Sequence, residues 1–316
     1  MCIRDRVAGQ QVAPVRRRLA WVRSGQQARP SGTGRRAASK RLKGIHSTVI
    51  SKRRSRLLAA VRRQKSAAGG RYSLAARNLE SGEEVLVAPG EVFPAASVIK
   101  VPLLTGLFAA RDEGRLDLGD EAVMQASDVV GGSGVLQEMH VGLRVTLRDL
   151  AHLMIVVSDN TATNMLIDRI GLEYIEAFLA RHSLTETKLQ RRLFDLEARK
   201  KGRDNLITAQ EIVRVYEMLH RADFAPLVPE SCRECLDILE RQQHSEKLPR
   251  DLPKTARIAS KPGGLDDVSH DSGLIVPREG PPYVIAVFTA DFAIRARADE
   301  AIARTSKLVY DYFTGG

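Results

Sequence analysis

The chain has 316 residues, of which 43% are hydrophobic and 5% aromatic, and it carries a formal net charge of +11. All of this charge lies in residues 1–45, which hold twelve basic residues and one acidic residue, while the remainder holds 37 of each sign. A nucleic-acid-binding domain gathers basic side chains on a folded face and offers aromatic rings for stacking. The composition therefore excludes nucleic acid as an expected partner, and the absence of an apolar run of 18 residues predicts no membrane span.

Residues 1–45 are rich in Arg, Gly, Ser and Gln and lack apolar periodicity, which predicts a disordered basic tail. The first six residues, Met-Cys-Ile-Arg-Asp-Arg, are similar to a translated sequencing adapter, so an artefactual origin of the tail is an open alternative. The apolar segment of a signal peptide is not visible, because three arginines and a proline interrupt the stretch from Val7 to Ala20. Localisation is not assigned from this segment.

The first half of the folded part alternates between helix and strand signals. Apolar residues at helical spacing predict a helix over 47–64, and alternating polarity around a Glu-Ser-Gly turn predicts a hairpin of strands 71–78 and 83–88. A helix is predicted from Ser97 to near Gly114. Thr146 with Asp149 forms a capping box that begins a strongly apolar helix. Ser158-Asp159-Asn160 interrupts this helix, and a second one continues to about residue 170.

Further helices are predicted near 172–182, 208–221 and 229–242, with a polar segment at 186–206 between them. Short strands are predicted at 256–261, 272–277 and 283–290, followed by a closing helix at 299–313. We therefore predict an α+β fold with a five-stranded antiparallel sheet flanked by the terminal helices, plus an all-helical lobe. The sheet lobe would comprise residues 46–92 and 250–316, and the helical lobe residues 93–249. A cleft between the lobes is the expected place for a site.

Ser97 and Lys100 form the first candidate pair for chemistry. They are three residues apart at the start of a predicted helix, so their side chains project over the same face. A lysine amine kept neutral by desolvation and by the positive end of the helix can take the proton of a serine hydroxyl. The alternative is a helix-capping serine followed by a solvated lysine.

Three short motifs follow one another on a helix, an interhelical loop and a strand: Ser97-x-x-Lys100, Ser158-Asp159-Asn160 and Lys261-Pro262-Gly263. This set resembles the motifs of the penicillin-recognising serine enzymes, particularly the class A β-lactamases and their D-alanyl-D-alanine peptidase relatives. The similarity extends over roughly residues 48–314 and implies a β-lactamase-like fold and a serine hydrolase that opens the β-lactam ring through an acyl-enzyme. It implies no cofactor, a small-molecule β-lactam or D-Ala-D-Ala-like substrate, a periplasmic or secreted location and a monomer.

Two other functions remain open within this resemblance. One is a D-alanyl-D-alanine peptidase, and the other is a penicillin-binding or sensor domain that is acylated once and does not turn over.

The resemblance also implies a role for each motif residue. Ser97 would be the acylated nucleophile, Lys100 its general base, and Ser158 the hydroxyl that passes a proton to the leaving nitrogen. Asn160 would bind the amide of the substrate side chain, and Lys261 would attract the substrate carboxylate.

The strand after Lys261, with Gly263 and Gly264, would lie along the substrate. The backbone N–H groups of Ser97 and Gly264 would form an oxyanion hole.

The sequence departs from the family pattern in two places. Pro262 stands where the family usually has Thr or Ser, whose hydroxyl binds the substrate carboxylate, and proline in a ladder is expected only on an edge strand. His270 and Ser272 are candidates to replace that hydroxyl.

The Glu-x-x-Leu-Asn pattern that supplies the deacylating base of class A enzymes is absent. Glu197 is the first candidate for this base and Asp195 the second, with two surface charges as the alternative interpretation. An Arg191–Asp204 ion pair at the base of this loop is predicted by resemblance only.

Metal chemistry is not expected. Seven histidines are present, and they lack the spacing of zinc ligands. Cys232 and Cys235 form a C-x-x-C pair within a predicted helix. This pair is interpreted as two small half-buried helix residues, with a redox or zinc role as the alternative.

Overall fold

The computed structural model of the protein describes residues 52–315. The predicted tail (1–45) and the start of the first predicted helix lie outside these residues. Helix α1 includes residues 52–68. The elements that follow it are β1 (Arg71–Asn78), β2 (Glu84–Val87), β3 (Val92–Pro94), α2 (Lys100–Asp112), β4 (Glu121–Val123), β5 (Arg144–Thr146), α3 (Leu147–Val156), α4 (Asn160–Ile170), α5 (Leu172–Arg181), α6 (Leu196–Lys200), β6 (Leu206–Thr208), α7 (Ala209–Arg221), α8 (Pro229–Glu240), β7 (Arg257–Leu265), β8 (Val268–Val276), β9 (Tyr283–Ala290) and α9 (Arg295–Thr314).

Five strands form one antiparallel sheet in the order β2-β1-β9-β8-β7. This confirms the predicted α+β fold and its five-stranded sheet. Strand β7 lies at an edge, and its Pro262 pairs with Asp271 of β8. The missing N–H of the proline is tolerated there because an edge strand has a neighbour on one side only.

One face of the sheet is covered by the terminal helices α1 and α9. Leu57 and Val61 of α1 and Ile302 of α9 pack with Leu74 and Ile285 of the sheet in one buried cluster. Each such side chain contributes about 1.5–3 kcal/mol when it is fully removed from water. The terminal helices therefore flank the sheet as predicted.

The other face of the sheet joins a larger core that includes the central helix α2. Phe93, Leu104, Phe108, Phe178 and Phe288 are fully buried in this cluster. Helix α2 is buried on all sides except at its last residues, which is the environment that an all-round apolar helix requires. Helix α7 belongs to the segment predicted as a helical lobe, yet it contacts β1, β8 and β9. The division into lobes at residues 93 and 249 stays a prediction.

Some elements differ from the sequence expectation. Strands β3 with β6 and β4 with β5 form two small antiparallel pairs that were not predicted, because three residues are too short for a periodic signal. Strand β8 begins at Val268, four residues before the predicted strand, because its polar residues Ser269, His270 and Asp271 are fully buried rather than exposed. No helix within 52–315 is long and apolar enough to span a membrane.

Candidate active site

Ser97 lies in a 3₁₀ turn, Ala96–Ile99, that leads directly into α2. The N-caps of this turn and of α2 are Ala95 and Ile99, so the alternative of a helix-capping serine is excluded. The preceding residue, Ala96, has a φ of +46°, which lies in the left-handed region that residues with a side chain rarely adopt. Because no capping role occupies it, the Ser97 hydroxyl is available for nucleophilic attack.

Lys100 is fully buried one turn after Ser97. Its amine donates to the backbone oxygen of Ser158 at 2.7 Å and to Asn160 Oδ1 at 2.8 Å, and it is hydrogen-bonded to Ser158 Oγ at 3.0 Å. Burial lowers the pKa of Lys100 well below its usual value, and the positive charge of Lys261 lowers it further, while Asp159 opposes both. A buried amine that favours its neutral form can act as a base, so the alternative of a solvated lysine is excluded.

Ser158 connects the two lysines. Its Oγ accepts hydrogen bonds from Lys100 at 3.0 Å and from Lys261 at 3.1 Å, and the residue adopts a φ of +57°. The side chain is 5% exposed, so it reaches the cleft from an otherwise buried position. A hydroxyl held between two amines can give up a proton and be reprotonated without a change of conformation.

Asp159 holds the loop that faces Ser97. One carboxylate oxygen caps α4 at Ala162 N (2.9 Å), and the other accepts from Val135 N at 2.6 Å and Leu136 N at 2.8 Å. A Cβ placed on Gly134 would lie 2.3 Å from the Asp159 carboxylate, so only glycine fits there. Asp159 is therefore a positioning residue for this loop and not a reacting group.

Asn160 borders the same cleft with its amide partly engaged. Its Oδ1 accepts from Lys100, and its Nδ2 donates to the carbonyl of Gly131 at 3.0 Å. An amide nitrogen has two hydrogens, so one remains for a substrate carbonyl.

Asn164, which sequence analysis missed, lies one turn further along α4. It donates to Leu193 O at 3.1 Å and accepts from Leu193 N at 2.8 Å, which fixes the facing loop. Its i+4 spacing from Asn160 is the signal that could have identified it.

Strand β7 brings Lys261, Gly263 and Gly264 against the Ser97 turn. Lys261 is fully buried and donates to Ser158 Oγ and to the carbonyl of Pro262 at 2.9 Å. A Cβ on Gly263 would lie 3.0 Å from the backbone nitrogen of Ser97, so the strand approaches the nucleophile as closely as glycine permits. Burial lowers the pKa of Lys261 to about 7, with Asp271 opposing this shift and Lys247 adding to it.

His270 and Ser272 do not replace the hydroxyl missing at Pro262, which corrects the sequence expectation. The ring of His270 is buried against the carbonyls of Pro94 and Ser269, and Ser272 Oγ lies 3.4 Å from the carbonyl of Lys261. Neither side chain lines the cleft, because both belong to the inner strand β8.

Two cations that sequence analysis missed do line the cleft beside Pro262. Lys247 donates to the carbonyls of Gly263 at 2.8 Å and His270 at 3.2 Å. Arg295 is exposed at the start of α9, and its guanidinium lies 3.0 Å from where a Cβ of Gly264 would be. Neither residue belongs to a motif, so only the three-dimensional structure reveals them.

Glu197 is not brought to the cleft, which corrects its prediction as the deacylating base. Its side chain is 73% exposed and pairs with Lys200 at 2.8 Å on the outer side of the short helix α6. Asp195, the second candidate, caps that helix by accepting from Ala198 N at 2.9 Å. The Arg191–Asp204 ion pair is confirmed, with a distance of 2.7 Å.

The cleft contains two adjoining cavities that share Ser97. The first, of about 360 Å³ and here called the Lys261 cavity, is lined by Ser158, Lys247, Lys261 and Arg295, with Glu246 and Asp266 also at its wall. The second, of about 240 Å³ and here called the Phe194 cavity, is lined by Asn160, Leu193, Phe194, Leu196, Leu265 and Asp204. A substrate attacked by Ser97 would therefore extend into both.

The remaining chemical candidates have structural roles. Within 52–315, no group of three or more His, Cys, Asp or Glu side chains gathers as a metal site. Cys232 and Cys235 are unpaired and fully buried on α8. Burial raises the pKa of the Cys232 thiol to about 11 and that of Cys235 well above its usual value, so neither forms a reactive thiolate at neutral pH.

Comparison with known proteins is consistent with this geometry. The profile of the β-lactamase enzyme family (Beta-lactamase2) matches residues 52–313. A β-lactamase from Streptomyces fradiae is 29% identical over 245 residues, which cover 74% of this chain and 78% of that protein. The crystal structure of a β-lactamase from Sphaerobacter thermophilus is 32% identical with a TM-score of 0.74, covering 82% of this chain and 97% of that one. A mutant of PBP-A in an acyl-enzyme complex with penicillin G is 30% identical with a TM-score of 0.76, covering 84% and 97% respectively.

Proposed function

The chain belongs to the β-lactamase enzyme family, and from this premise we propose that it is acylated at Ser97 by β-lactams and then hydrolyses the ester. One observation carries the proposal. The Ser158 hydroxyl lies 3.0 Å and 3.1 Å from the buried amines of Lys100 and Lys261, in a cleft that Ser97 also lines. Three motifs distant in sequence thus converge on a proton path beside one nucleophile.

Acylation follows from this arrangement. The neutral amine of Lys100 takes the Ser97 proton as Oγ attacks the lactam carbonyl. The developing oxyanion is stabilised by the N–H groups of Ser97 and Gly264. Ser97 lies on the turn before α2 and Gly264 lies on β7, and these two elements are in close contact at Gly263. When the carbonyl–nitrogen bond breaks, Ser158 donates its proton to that nitrogen and regains one from protonated Lys100.

In this mechanism the contact between the Ser97 and Lys100 side chains forms in the substrate complex. No hydrogen bond joins the two side chains within the described residues, and Lys100 instead engages Ser158 and Asn160. Catalytic hydrogen bonds of free enzymes are commonly long and shorten in the substrate complex.

Deacylation is expected to be the slow step. Asp204 is the carboxylate that lines the Phe194 cavity, and it is held by Arg191 at 2.7 Å and by Arg199 at 3.3 Å. Leu193 also lines this cavity and offers no base. Lys100, neutral again after acylation, is the group that remains to activate water.

Intact-mass measurement with penicillin G tests the proposal. The wild-type protein should gain the mass of one penicillin and lose it again over time, and steady-state cleavage of nitrocefin should follow a burst. Ser97→Ala should show no adduct. An adduct that forms equally on Ser97→Ala would overturn the assignment of the nucleophile.

A second candidate, a penicillin-binding domain that does not turn over, is supported by the solvent-directed position of Glu197. An adduct on Ser97 that persists for hours would favour it over hydrolysis. Release of D-alanine from a D-Ala-D-Ala peptide, without nitrocefin turnover, would instead indicate a peptidase.

The acylation rate is predicted to fall as pH rises through about 7. Lys261 has a pKa of about 7. Below that pH its ammonium donates to Ser158 and attracts a substrate carboxylate, and above that pH the positive charge is lost. Stopped-flow acylation rates between pH 5.5 and 9 should show this falling limb. Lys261→Arg stays charged and should remove the limb, and a wild-type rate that rises from pH 7 to 9 would contradict the prediction.

Arg295→Gln is predicted to raise the KM for substrates that carry a carboxylate about fivefold, with little change in kcat. The side chain is exposed, so its attraction to an anion in the Lys261 cavity is worth about 1 kcal/mol or less. A matched control is Arg297→Gln, on the same helix but in a groove beside α1. For the methyl ester of the same β-lactam, Arg295→Gln and the wild type should have the same KM. Equal KM values for the free acid in the two variants would refute the prediction.

A further inference from the structure

Charge is distributed unevenly over the folded part of the chain. Helix α1 (52–68) holds seven basic residues and no acidic one, and α9 holds four basic and three acidic residues. Residues 69–294 carry the compensating charge, with 26 basic and 34 acidic residues. The chain after residue 45 is therefore neutral in sum, but the layer formed by its terminal helices is strongly positive.

The inner face of α1 is already buried in the core. Leu57, Val61 and Ala68 belong to the cluster that joins α1 to the sheet and to α9. All seven basic side chains of the helix are exposed. Only the outer, charged face of α1 is therefore available to a partner.

The outer face of α1 combines cations with a small residue. An α-helix turns by about 100° per residue, so Lys52, Arg56 and Arg63 lie within about 40° of one another on one side of the line opposite the buried residues. Arg62 lies on the other side of that line, and Ala59 lies on the line itself. Long cationic side chains on both sides of a small one allow a flat anionic surface to approach the helix closely.

The charges of this face are not neutralised by neighbouring carboxylates. Among residues 52–315, the ion pairs include no side chain of α1. Glu300, in the groove between α1 and α9, pairs with Arg304 at 2.6 Å, and Asp311 pairs with Lys307 at 2.6 Å. These carboxylates are engaged by cations of α9 itself, so α1 keeps its positive charge for an external anion.

The composition and shape of this face favour a lipid surface over a nucleic acid. Helix α1 has no aromatic side chain on which a base could stack. It lies beside α9 against the same sheet face, so its outer face belongs to a flat layer and not to a ridge that could enter the groove of a duplex. Four to eight Lys or Arg residues on an amphipathic helix are typical of binding to anionic lipid headgroups.

We propose that the α1 basic face, defined as Lys52, Arg56, Arg62 and Arg63, binds the surface of an anionic phospholipid membrane. The attraction is electrostatic, because the apolar side chains of α1 are buried in the core and do not enter the bilayer. No residue of α1 lines either cavity of the cleft, so this inference does not depend on the acylation of Ser97.

Cosedimentation of the full chain with lipid vesicles tests this inference. The wild-type protein should bind vesicles of phosphatidylglycerol and phosphatidylcholine at an ionic strength of about 0.1 M, where charges interact over about 10 Å. It should be released at about 1 M, where that distance is about 3 Å, and should not bind vesicles of phosphatidylcholine alone. The triple variant Arg56→Gln, Arg62→Gln, Arg63→Gln should bind the anionic vesicles about a hundredfold more weakly, since each Lys or Arg near such a surface contributes about fivefold to the affinity.

The matched control is the triple variant Lys201→Gln, Lys254→Gln, Arg278→Gln. It removes the same charge from exposed positions outside α1 and keeps residues 1–45, so its vesicle affinity should equal that of the wild type. Glutamine has nearly the helix propensity of arginine, and thermal melting of both variants should match wild type.

Four results would overturn the inference. These are the absence of wild-type binding to anionic vesicles, equal binding to charged and neutral vesicles, equal affinities of the two triple variants, and survival of the binding at 1 M salt. Weaker binding of the α1 variant to a DNA duplex, with unchanged binding to vesicles, would assign this face to a nucleic acid instead.

Discussion

Replacing Lys100 with methionine should slow acylation of Ser97 by about 10²- to 10⁴-fold, the usual contribution of a positioned general base. The amine is fully buried and its pKa is lowered by that burial, which favours the neutral amine that can accept the Ser97 proton. Methionine keeps the unbranched shape of the side chain and removes the base. Stopped-flow acylation by benzylpenicillin measures the effect directly.

Lys100→Arg distinguishes a base from a fixed positive charge. A guanidinium remains protonated in proteins, so this variant keeps the charge and loses the base. If Lys100 acts as a base, both variants should be equally slow, whereas recovery of the rate in Lys100→Arg would show that the charge alone suffices. Lys254→Met, at an exposed lysine outside the cleft, is the control, and circular dichroism checks that each variant is folded.

Local patterns allowed much of the fold to be predicted. The predicted cap of α3 is present, since Thr146 Oγ1 accepts from Asp149 N at 3.1 Å and donates to the Asp149 carboxylate at 2.6 Å. The hairpin is present with Leu74 opposite Val87. These features depend on residues close together in the chain, where side-chain type and spacing determine the backbone. The three site motifs were found for the same reason, since each is a short run of sequence.

The predictions that the structure corrects concern features that depend on contacts between residues far apart in the sequence. The segment at 186–206 has no periodicity, and the short helix within it is set by the Asp195 cap and the Arg191–Asp204 pair. Within this helix Glu197 pairs with Lys200 and is exposed to solvent, and no local sequence signal indicates that orientation. Arg295 reaches the cleft only because α9 starts beside the end of β7.

The buried polar residues at the start of β8 caused a further error in the sequence prediction. Ser269, His270 and Asp271 have the appearance of an exposed turn, yet they pair with β7 and β9 inside the sheet. Asp271 is retained there because it accepts from Leu248 N and Ser272 N, while burial raises its pKa to about 6. Such partners lie across strands or loops, and hydropathy alone does not reveal them.

Leu193→Glu should accelerate deacylation of the Ser97 ester by about 10²-fold, at the lower end of what a positioned general base provides. Leu193 lines the Phe194 cavity with Ser97, and its backbone is held at both N and O by Asn164. A carboxylate in this position would lie in the same cavity as the ester, whereas Asp204 is already paired with Arg191 and Arg199. Time-resolved intact mass after a short exposure to benzylpenicillin gives the rate at which the adduct is lost.

Leu193→Gln is the matched control, because it has the same size and polarity pattern as glutamate but cannot accept the proton of water. Acylation should be similar in both variants, since Lys100 and Ser158 are unchanged, and only the glutamate variant should release its adduct quickly. Equal deacylation rates in the two variants would mean that Leu193 does not face the path of the hydrolytic water.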